Sequence, residues 1–280
     1  MKKIILLIAM MGLMMGVISC GNDEPKRGTG VFTVEDMMIN HAYNTKSDQV
    51  LGLSTVRNKL TVDTKNRKAN VEFKYNDGQG EKTLVLEDLI VTPKGVGFFE
   101  FTSASVSTFS GYVDVNEESA MRFFYITPEG IRIISTTSNV FFLNTHNTIT
   151  YDDATKPTDM ENVMYEFKIE PASKTAVVTV SGIEHAKDLK YFNSITAASV
   201  PFTVTANGFT FSGENLKTDA IYRNYVDSTG SVRSHTDKYP FKTFNATVDM
   251  KNDRLNAEYM MGSSATVVAT GRTYLEFHEY

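Results

Sequence analysis

The sequence predicts an all-β protein with antiparallel sheets, in which two sequence-related halves form β-sandwiches or half-barrels. Three observations lead to this fold class. The composition is rich in strand-favouring aromatic residues, with 18 Phe and 13 Tyr among 280 residues. Strand–turn–strand segments recur along the chain, with apolar and polar residues in alternation. The segments and the pieces between them also follow the same order twice, which indicates an internal repeat.

Four segments share the pattern of a β-hairpin. Apolar and polar positions alternate on both arms, as expected when one face of a hairpin is buried, and each turn carries Asn, Asp, Ser or Pro. Because hairpins join antiparallel strands, their recurrence favours antiparallel sheets. The hairpins are Leu60–Phe73, Gly111–Phe124, Tyr165–Val178 and Phe244–Ala257.

The pieces that flank these hairpins also correspond. Val91–Phe101 lies between the first and second hairpins, and Val204–Ser212 lies between the third and fourth. Upstream, Met38–Asn44 precedes the first hairpin as Phe142–Thr148 precedes the third. The shared order predicts two related β-rich halves in a single chain.

We place the first half at 32–139 and the second at 140–280, so that they meet around Asn139. The local structure of two stretches stays open at this point. Thr33–Asp36 has the pattern of a capping box that opens a short helix, although the residues after it alternate as in a strand. His185–Ile195 fits a helix or a strand equally well.

The N-terminus has the layout of an export signal. Lys2 and Lys3 precede Ile4–Val17, which is apolar and carries no charge, and small residues follow before Cys20. The run is shorter than the roughly 20 residues that a membrane-spanning helix needs. We therefore predict a cleaved signal peptide at 1–19.

The end of this signal, Val17-Ile18-Ser19-Cys20, resembles the lipobox of bacterial lipoproteins. The resemblance implies that the thiol of Cys20 is acylated, with palmitate as a typical chain, and that Cys20 becomes the N-terminus of the mature protein. Cys20 is the only cysteine of the sequence, so it has no partner for an intramolecular disulfide. The alternative is an ordinary secretory signal in which Cys20 is incidental.

A flexible tether is predicted at 20–31, because Gly21–Gly30 is small, charged and offers no apolar side chain for docking. Its acidic pair, Asp23 and Glu24, is similar to the export signal of Bacteroidetes-type surface lipoproteins. This similarity implies a location on the outer membrane at the cell surface. The alternative is a solvated linker on the periplasmic face.

The lipobox, the acidic tether and the duplicated β halves together resemble an uncharacterised family of Bacteroidetes-type surface lipoproteins. Some proteins of this kind adopt lipocalin-like or sandwich folds, which agrees with the all-β prediction. The resemblance implies no activity, because fold and function separate freely.

The sequence lacks the familiar signatures of catalysis. It contains no G-x-S-x-G, H-E-x-x-H or C-x-x-C motif and no glycine-rich phosphate loop, and its five His are far apart. We therefore predict no catalytic residue, no metal site and no cofactor. The net charge of −5, with basic residues scattered along the chain, argues against a nucleic-acid partner.

The second half carries an insertion, Lys217–Lys242, where the first half has only the short link Ser103–Ser110. Long insertions in compact domains are often functional, and Tyr rings and Arg side chains suit the recognition of sugars or carboxylates. The alternative is an extra hairpin made of Ala220–Val226 and Ser231–Tyr239, and both interpretations can hold together. The predicted ligand-binding residues are Tyr222, Tyr225, Arg233, His235 and Tyr239.

Asp227-Ser228-Thr229 resembles the acceptor pattern for O-linked glycans in Bacteroidetes-type exported proteins, which implies glycosylation at Ser228. The sequence as a whole favours a membrane-anchored surface protein that binds a glycan or protein ligand without catalysis. One alternative is a glycan-acting lipoprotein enzyme, with carboxylates contributed by different strands. Another is a lipocalin-like carrier of a small apolar ligand.

The lipid anchor gives the first testable prediction. Cys20→Ala removes the acyl acceptor, so the variant should incorporate no labelled fatty acid and should remain uncleaved by the lipoprotein signal peptidase. Normal labelling of the variant would contradict the assignment of Cys20. Protease added to intact cells should remove the wild-type protein, whereas protection of the wild type would place it on the periplasmic face.

Overall fold

The computed structural model describes residues 30–115, 120–137, 139–153, 156–224 and 234–273. The predicted signal peptide, Cys20 and the acidic pair of the tether lie outside these ranges. Within them the predicted all-β, antiparallel fold class is confirmed, and each half of the chain forms a closed eight-stranded barrel.

The first barrel is an up-and-down arrangement in which each strand pairs with the next and β8 returns to pair with β1. Side chains alternate between the interior and the outside, as in β3, where Ala69, Val71, Phe73 and Tyr75 are buried. Its strands are β1 (Val31–Asn44), β2 (Gln49–Asp63), β3 (Lys68–Asn76), β4 (Glu81–Gly95), β5 (Phe98–Thr102), β6 (Phe109–Asp114), β7 (Ala120–Ile126) and β8 (Ile131–Thr137).

The second barrel closes along the path β9–β10–β11–β13–β14–β17–β18–β19. Three further strands pair outside this path, and a 3₁₀ turn at Ala186–Asp188 follows one of them. Its strands are β9 (Asn139–Tyr151), β10 (Thr158–Glu170), β11 (Thr175–Ser181), β12 (Ile183–His185), β13 (Lys190–Val204), β14 (Gly208–Leu216), β15 (Thr218–Asn224), β16 (Ser234–Asp237), β17 (Phe241–Asp249), β18 (Arg254–Met261) and β19 (Ala265–Thr273).

Strand pairing resolves the two stretches whose local structure the sequence left open between helix and strand. The residues of the possible capping box lie in β1, where they pair with β2. His185–Ile195 is mixed, since β12 ends at His185, the 3₁₀ turn follows, and β13 begins at Lys190. Cross-strand hydrogen bonding therefore prevails over the local helix signal in β1.

The two barrels correspond strand by strand. The predicted hairpins are β2–β3 and β6–β7 in the first barrel, and β10–β11 and β17–β18 at the same places in the second. A β-bulge also recurs, opposite Asn70 in β3–β4 and opposite Val177 in β11–β13. The bulged strands have Asp88 and Ser199 in the left-handed region, at φ of 56° and 62°. These shared irregularities support the internal repeat proposed from the sequence.

Aromatic side chains occupy both barrel interiors. In the first barrel, the Phe73 ring lies 5.5 Å from Phe109 and 5.6 Å from Phe123, measured between centroids. In the second, the Tyr165 hydroxyl donates to Asn147 Oδ1 at 2.5 Å and also contacts the Tyr259 hydroxyl at 2.9 Å. Buried aromatic side chains therefore occupy both interiors, as in small barrels generally, and the carrier alternative stays a prediction.

The outer wall of the first barrel joins the second barrel through buried apolar contacts. Ile39 on β1 and Ile134 on β8 point outward and belong to the same buried cluster as the interior of the second barrel. Both are fully buried, and burying each side chain contributes about 1.5–3 kcal/mol. The barrels therefore share a core at this joint.

Polar groups complete the joint, and the turns of the second barrel supply their partners. Arg132 donates from Nη2 to the carbonyl oxygen of Ala206 at 2.7 Å. His41 is buried, and its Nε2 lies 2.7 Å from the carbonyl oxygen of Thr205. Arg122, also buried, pairs with the carboxylate of Asp253. These turns form one end of the second barrel, so its opposite end, here called the outer end, points away from the first barrel.

Removing the buried cation of the joint should destabilise the protein strongly. Arg122→Met leaves Asp253 without its ionic partner, and breaking a buried pair typically costs about 3–5 kcal/mol. Arg57→Met is the matched control, because Arg57 forms an exposed pair with Glu35 at 3.4 Å and should cost less than about 1 kcal/mol. Equal denaturant-unfolding free energies for the two variants would contradict a buried role for Arg122.

The joint should also weaken in acid. Burial lowers the pKa of His41 from 6.5, and the charge of Arg132 lowers it further. The unfolded chain then binds the proton at a higher pH than the folded protein, so stability should fall as the pH drops below about 6.5. His41→Gln retains a donor for Thr205 without titrating, and it should lose less unfolding free energy between pH 8 and pH 5.

His185, whose pKa burial also lowers, should leave some acid sensitivity in every variant. Identical pH profiles for wild type and His41→Gln would show that the joint does not respond to His41.

Candidate binding surface at the outer end of the second barrel

The predicted insertion forms a β-hairpin, β15–β16, which adds to the side of the second barrel. β14 pairs with β13 only from Phe202 to Val204 and then continues along β17. The remaining edge of β13, Lys190–Ala197, pairs instead with β15. The hairpin thus covers the part of the β13 edge that β14 does not pair with. It does so without changing the order of strands around the barrel.

The inner face of the hairpin is part of the core. Thr218, Ala220 and Tyr222 are buried, and the Tyr222 ring lies 5.6 Å from Phe192 between centroids. The Tyr239 ring follows the hairpin and lies 4.7 Å from that of Phe192. Tyr222 and Tyr239 are only 9% and 8% exposed, so these rings anchor the hairpin, and their predicted ligand-binding role stays a prediction.

Tyr239 has a tightly fitted environment. Its hydroxyl donates to Asp188 Oδ2 at 2.8 Å, and burial together with this carboxylate raises the pKa of Tyr239. Gly262 packs against the ring with φ of 64°, and a Cβ at that position would lie 2.7 Å from the ring Cζ. A neutral, hydrogen-bonded phenol therefore stands at the outer end of the barrel.

His185 lies next to this phenol and is fully buried. Its Nδ1 accepts a hydrogen bond from the backbone amide of Asp188 at 3.1 Å, which places the ring proton on Nε2. Nε2 has no hydrogen-bond partner among the described residues. The ring packs edge-on against Tyr151, with centroids 5.2 Å apart, and burial lowers its pKa, so the imidazole is neutral.

Cationic and apolar side chains flank the buried rings. The ammonium of Lys190 lies 4.8 Å from the Tyr222 ring centroid and 5.1 Å from that of Tyr239. On the outward face of β15, the guanidinium of Arg223 lies 4.9 Å from the Tyr191 ring centroid. Ile221, on the same face, is 46% exposed. This outward face combines apolar surface with a guanidinium that stacks on a ring, a pairing suited to sugars and carboxylates.

The predicted site residues occupy different positions in this arrangement. The backbone of His235 in β16 pairs with that of Tyr222, and its side chain is outside the described part of the structure. Tyr225, Arg233 and Ser228 also lie outside the described residues, so their binding and glycosylation roles stay predictions.

Sequence reasoning missed the residues that hold the hairpin in place. Asp188 and Lys190 fall within the stretch left open between helix and strand, and their contacts with Tyr222 and Tyr239 span the sequence from 188 to 239. The sequence feature that could have indicated them is the His-x-x-Asp spacing of His185 and Asp188, which marks a short capped turn.

A polar groove on the first barrel is lined by carboxylates that bear on the enzyme alternative. Its volume is about 570 Å³ and its lining includes Asp63, Lys68 and Asp88. Asp63 accepts hydrogen bonds from the backbone and side chain of Asn66, which lower its pKa, whereas a glycosidase acid needs a raised pKa. Asp88 pairs with Lys68 at 2.7 Å. The groove therefore lacks support as a hydrolytic site.

Clusters of metal-ligating residues and membrane-spanning helices are absent from the described ranges. These residues contain no group of three or more His, Cys, Asp or Glu placed to hold a metal ion. No helix in the part of the chain that the structure describes is long and apolar enough to span a membrane.

No protein-family model matches the chain, and no curated protein matches its sequence. Similar solved structures include a Bacteroides fragilis protein provisionally named an outer membrane protein, with 15% identity over 86% of this chain and 97% of that chain at a TM-score of 0.33. Another is isotype 1 transferrin binding protein B of serogroup B Neisseria meningitidis, with 8% identity over 88% and 77% at a TM-score of 0.26. TM-scores this low support no conclusion about function. The proposed function is therefore derived from the residues of this chain.

Proposed function

We propose that the chain is a lipid-anchored protein of the outer membrane, displayed at the cell surface and related to the uncharacterised Bacteroidetes-type surface lipoproteins. The lipobox at Cys20 and the acidic pair of the tether support the anchor and its location. The order of elements fits this role, because the predicted tether leads directly into β1 and two packed barrels follow it.

The proposed activity is binding of a glycan or protein ligand at the outer end of the second barrel. The observation that carries the proposal is the β15–β16 hairpin, in which β15 has a buried inner face and an outward face with exposed Ile221 and Arg223. A surface whose support is packed in the core loses less conformational entropy on binding. Tyr225, Arg233 and His235, which follow β15 in the sequence, remain proposed contact residues.

Binding without catalysis is preferred over the enzyme alternative for a chemical reason. A glycan-acting enzyme of the common type needs two carboxyl groups, one of them held protonated by a raised pKa. The groove on the first barrel has a carboxylate whose pKa is lowered, and the outer end of the second barrel has a neutral imidazole and phenol. Hydrogen bonds at Asp63, and burial at His185 and Tyr239, therefore favour structural roles for these groups over acid–base catalysis.

The test uses a variant altered only on the outward face of the hairpin. Ile221→Ser combined with Arg223→Ala should keep the unfolding free energy within about 0.5 kcal/mol per substitution, because both side chains are exposed. Its signal on a glycan array should fall at least tenfold relative to the wild type.

Arg57→Ala serves as the control, since it removes an exposed guanidinium from the first barrel and should leave the array signal unchanged. An unchanged signal for the hairpin variant would contradict the proposed surface. A wild-type protein without any array signal would exclude the glycan class of ligand.

A further inference from the structure

The two ends of the β15–β16 hairpin are held together at one buried tyrosine. Thr218 begins β15, and Tyr239 follows β16. Thr218 Oγ1 donates to the carbonyl oxygen of Tyr239 at 2.6 Å and accepts from the backbone amide of Tyr239 at 3.1 Å. The ring of Tyr239 packs against Phe192 of β13. The base of the hairpin is therefore attached to the barrel wall at Tyr239.

The phenol of Tyr239 shares a carboxylate oxygen with the surroundings of His185. Its hydroxyl donates to Asp188 Oδ2 at 2.8 Å, and the same oxygen lies 3.7 Å from His185 Nδ1, which is too far for a hydrogen bond. Nδ1 accepts instead from the backbone amide of Asp188, which caps the turn Ala186–Asp188. Asp188 thus contacts the imidazole through its backbone and the phenol through its side chain.

A proton on Nδ1 of His185 is incompatible with this arrangement. Nδ1 would then be a donor that faces a second donor, the backbone amide of Asp188, so the cap of the turn is lost. An acceptor within reach of the new N–H is Asp188 Oδ2, to which Tyr239 already donates. The imidazolium attracts this carboxylate by charge as well as by hydrogen bonding, so it competes with the phenol.

The surroundings of His185 favour the neutral ring. The side chain is fully buried, and its Nε2 has no hydrogen-bond partner among the described residues. Burial lowers the pKa of His185, the carboxylate of Asp188 opposes this effect, and two ammonium groups add to it. The charged groups near the ring are Glu184 on β12, Lys187 and Asp188 in the turn, Lys190 on β13, and Asp153, which pairs with Lys187 at 2.9 Å. The phenols of Tyr151 and Tyr239 pack edge-on against the ring. The closed turn therefore disfavours the imidazolium, whereas an open turn exposes it to water.

We propose that His185 is a pH-sensitive latch for the β15–β16 hairpin, closed while the imidazole is neutral and opened by a proton that draws Asp188 away from Tyr239. Opening detaches the base of the hairpin, so the outward face with Ile221 and Arg223 loses its support. The consequence for binding, release of a ligand in acid, rests on the proposed function, whereas the latch itself does not.

The direction of the effect follows from proton binding. The open form binds the proton near the ordinary pKa of 6.5, and the closed form binds it only at lower pH. Closure of the hairpin should therefore weaken as the pH falls below about 6.5. If the closed form stays neutral at pH 5, the open fraction of the hairpin rises by about thirtyfold between pH 8 and pH 5.

Hydrogen exchange of the full chain measures the latch without any ligand. Protection factors are used, because they remove the intrinsic effect of pH on exchange. The protection of the Tyr239 amide and of the β15 amides should fall by up to about thirtyfold between pH 8 and pH 5. In His185→Asn this fall should disappear, since Asn Oδ1 accepts from the Asp188 amide as a favoured cap and does not titrate.

His41→Gln is the control for unfolding of the whole protein. His41 lies at the joint, at the opposite end of the second barrel, so its replacement should reduce the acid response of global unfolding, which the amides of β18 report. It should leave the response of the hairpin amides unchanged. A fall in hairpin protection that is equal in wild type and His185→Asn, or that His41→Gln reduces, would overturn the proposal, as would the absence of any fall in the wild type.

Tyr239→Phe provides a second variant that leaves His185 in place. It removes the hydroxyl that donates to Asp188, so hairpin protection should already be lower at pH 8, by about tenfold or more, and should respond less to acid. Wild-type protection and pH response in this variant would contradict the latch. A glycan array without any signal would count against the proposed function and would leave these exchange results unaffected.

Discussion

Backbone hydrogen bonding where neighbouring strands part is the constraint on which the other features of this protein depend. Long strands such as β2, β4 and β13 pair with different neighbours along their lengths, so each barrel leaves polar edges at one end. Such groups are costly to leave unpaired when they are shielded from water. An inserted hairpin pairs with the open edge of β13, and asparagine side-chain amides form hydrogen bonds with the open edge of β3.

The two solutions have different consequences for function. A hairpin that caps an edge presents a new outward face, and in β15 this face carries Ile221 and Arg223. Asparagine caps close a gap without adding surface, as Asn40 and Asn58 do beside β3. The insertion is thus a structural part of the second barrel that also adds an outward surface, which explains why its inner rings are buried.

Alternation of side chains also explains the joint between the barrels. Inward residues of β1 and β8 fill the first barrel, which leaves the outward positions of the same strands to pack elsewhere. At Ile39 and Ile134 these outward positions enter the core of the second barrel, while His41, Arg122 and Arg132 bind its turns. The joint therefore contains buried basic side chains. Its stability depends on the ion pair and hydrogen bonds that these side chains form with the turns.

Local patterns in the sequence determined the antiparallel class, the hairpins and the inserted hairpin, because alternation and turn residues act between neighbours in the chain. The predicted hairpin at Leu60–Phe73 illustrates this, since Asp63 and Asn66 form its turn as the sequence indicates. The predicted export signal and the predicted acylation of Cys20 also rest on local pattern, since both are inferred from a contiguous run of residues.

Only the tertiary structure decided that each half closes on itself, since closure pairs β1 with β8 and β9 with β19 across the length of a half. It likewise decided that Tyr222 and Tyr239 are buried, because their partners Phe192, Asp188 and Lys190 come from a separate strand and turn. The alternation of a strand shows which residues share a face, but which face is covered depends on elements that are distant in the sequence.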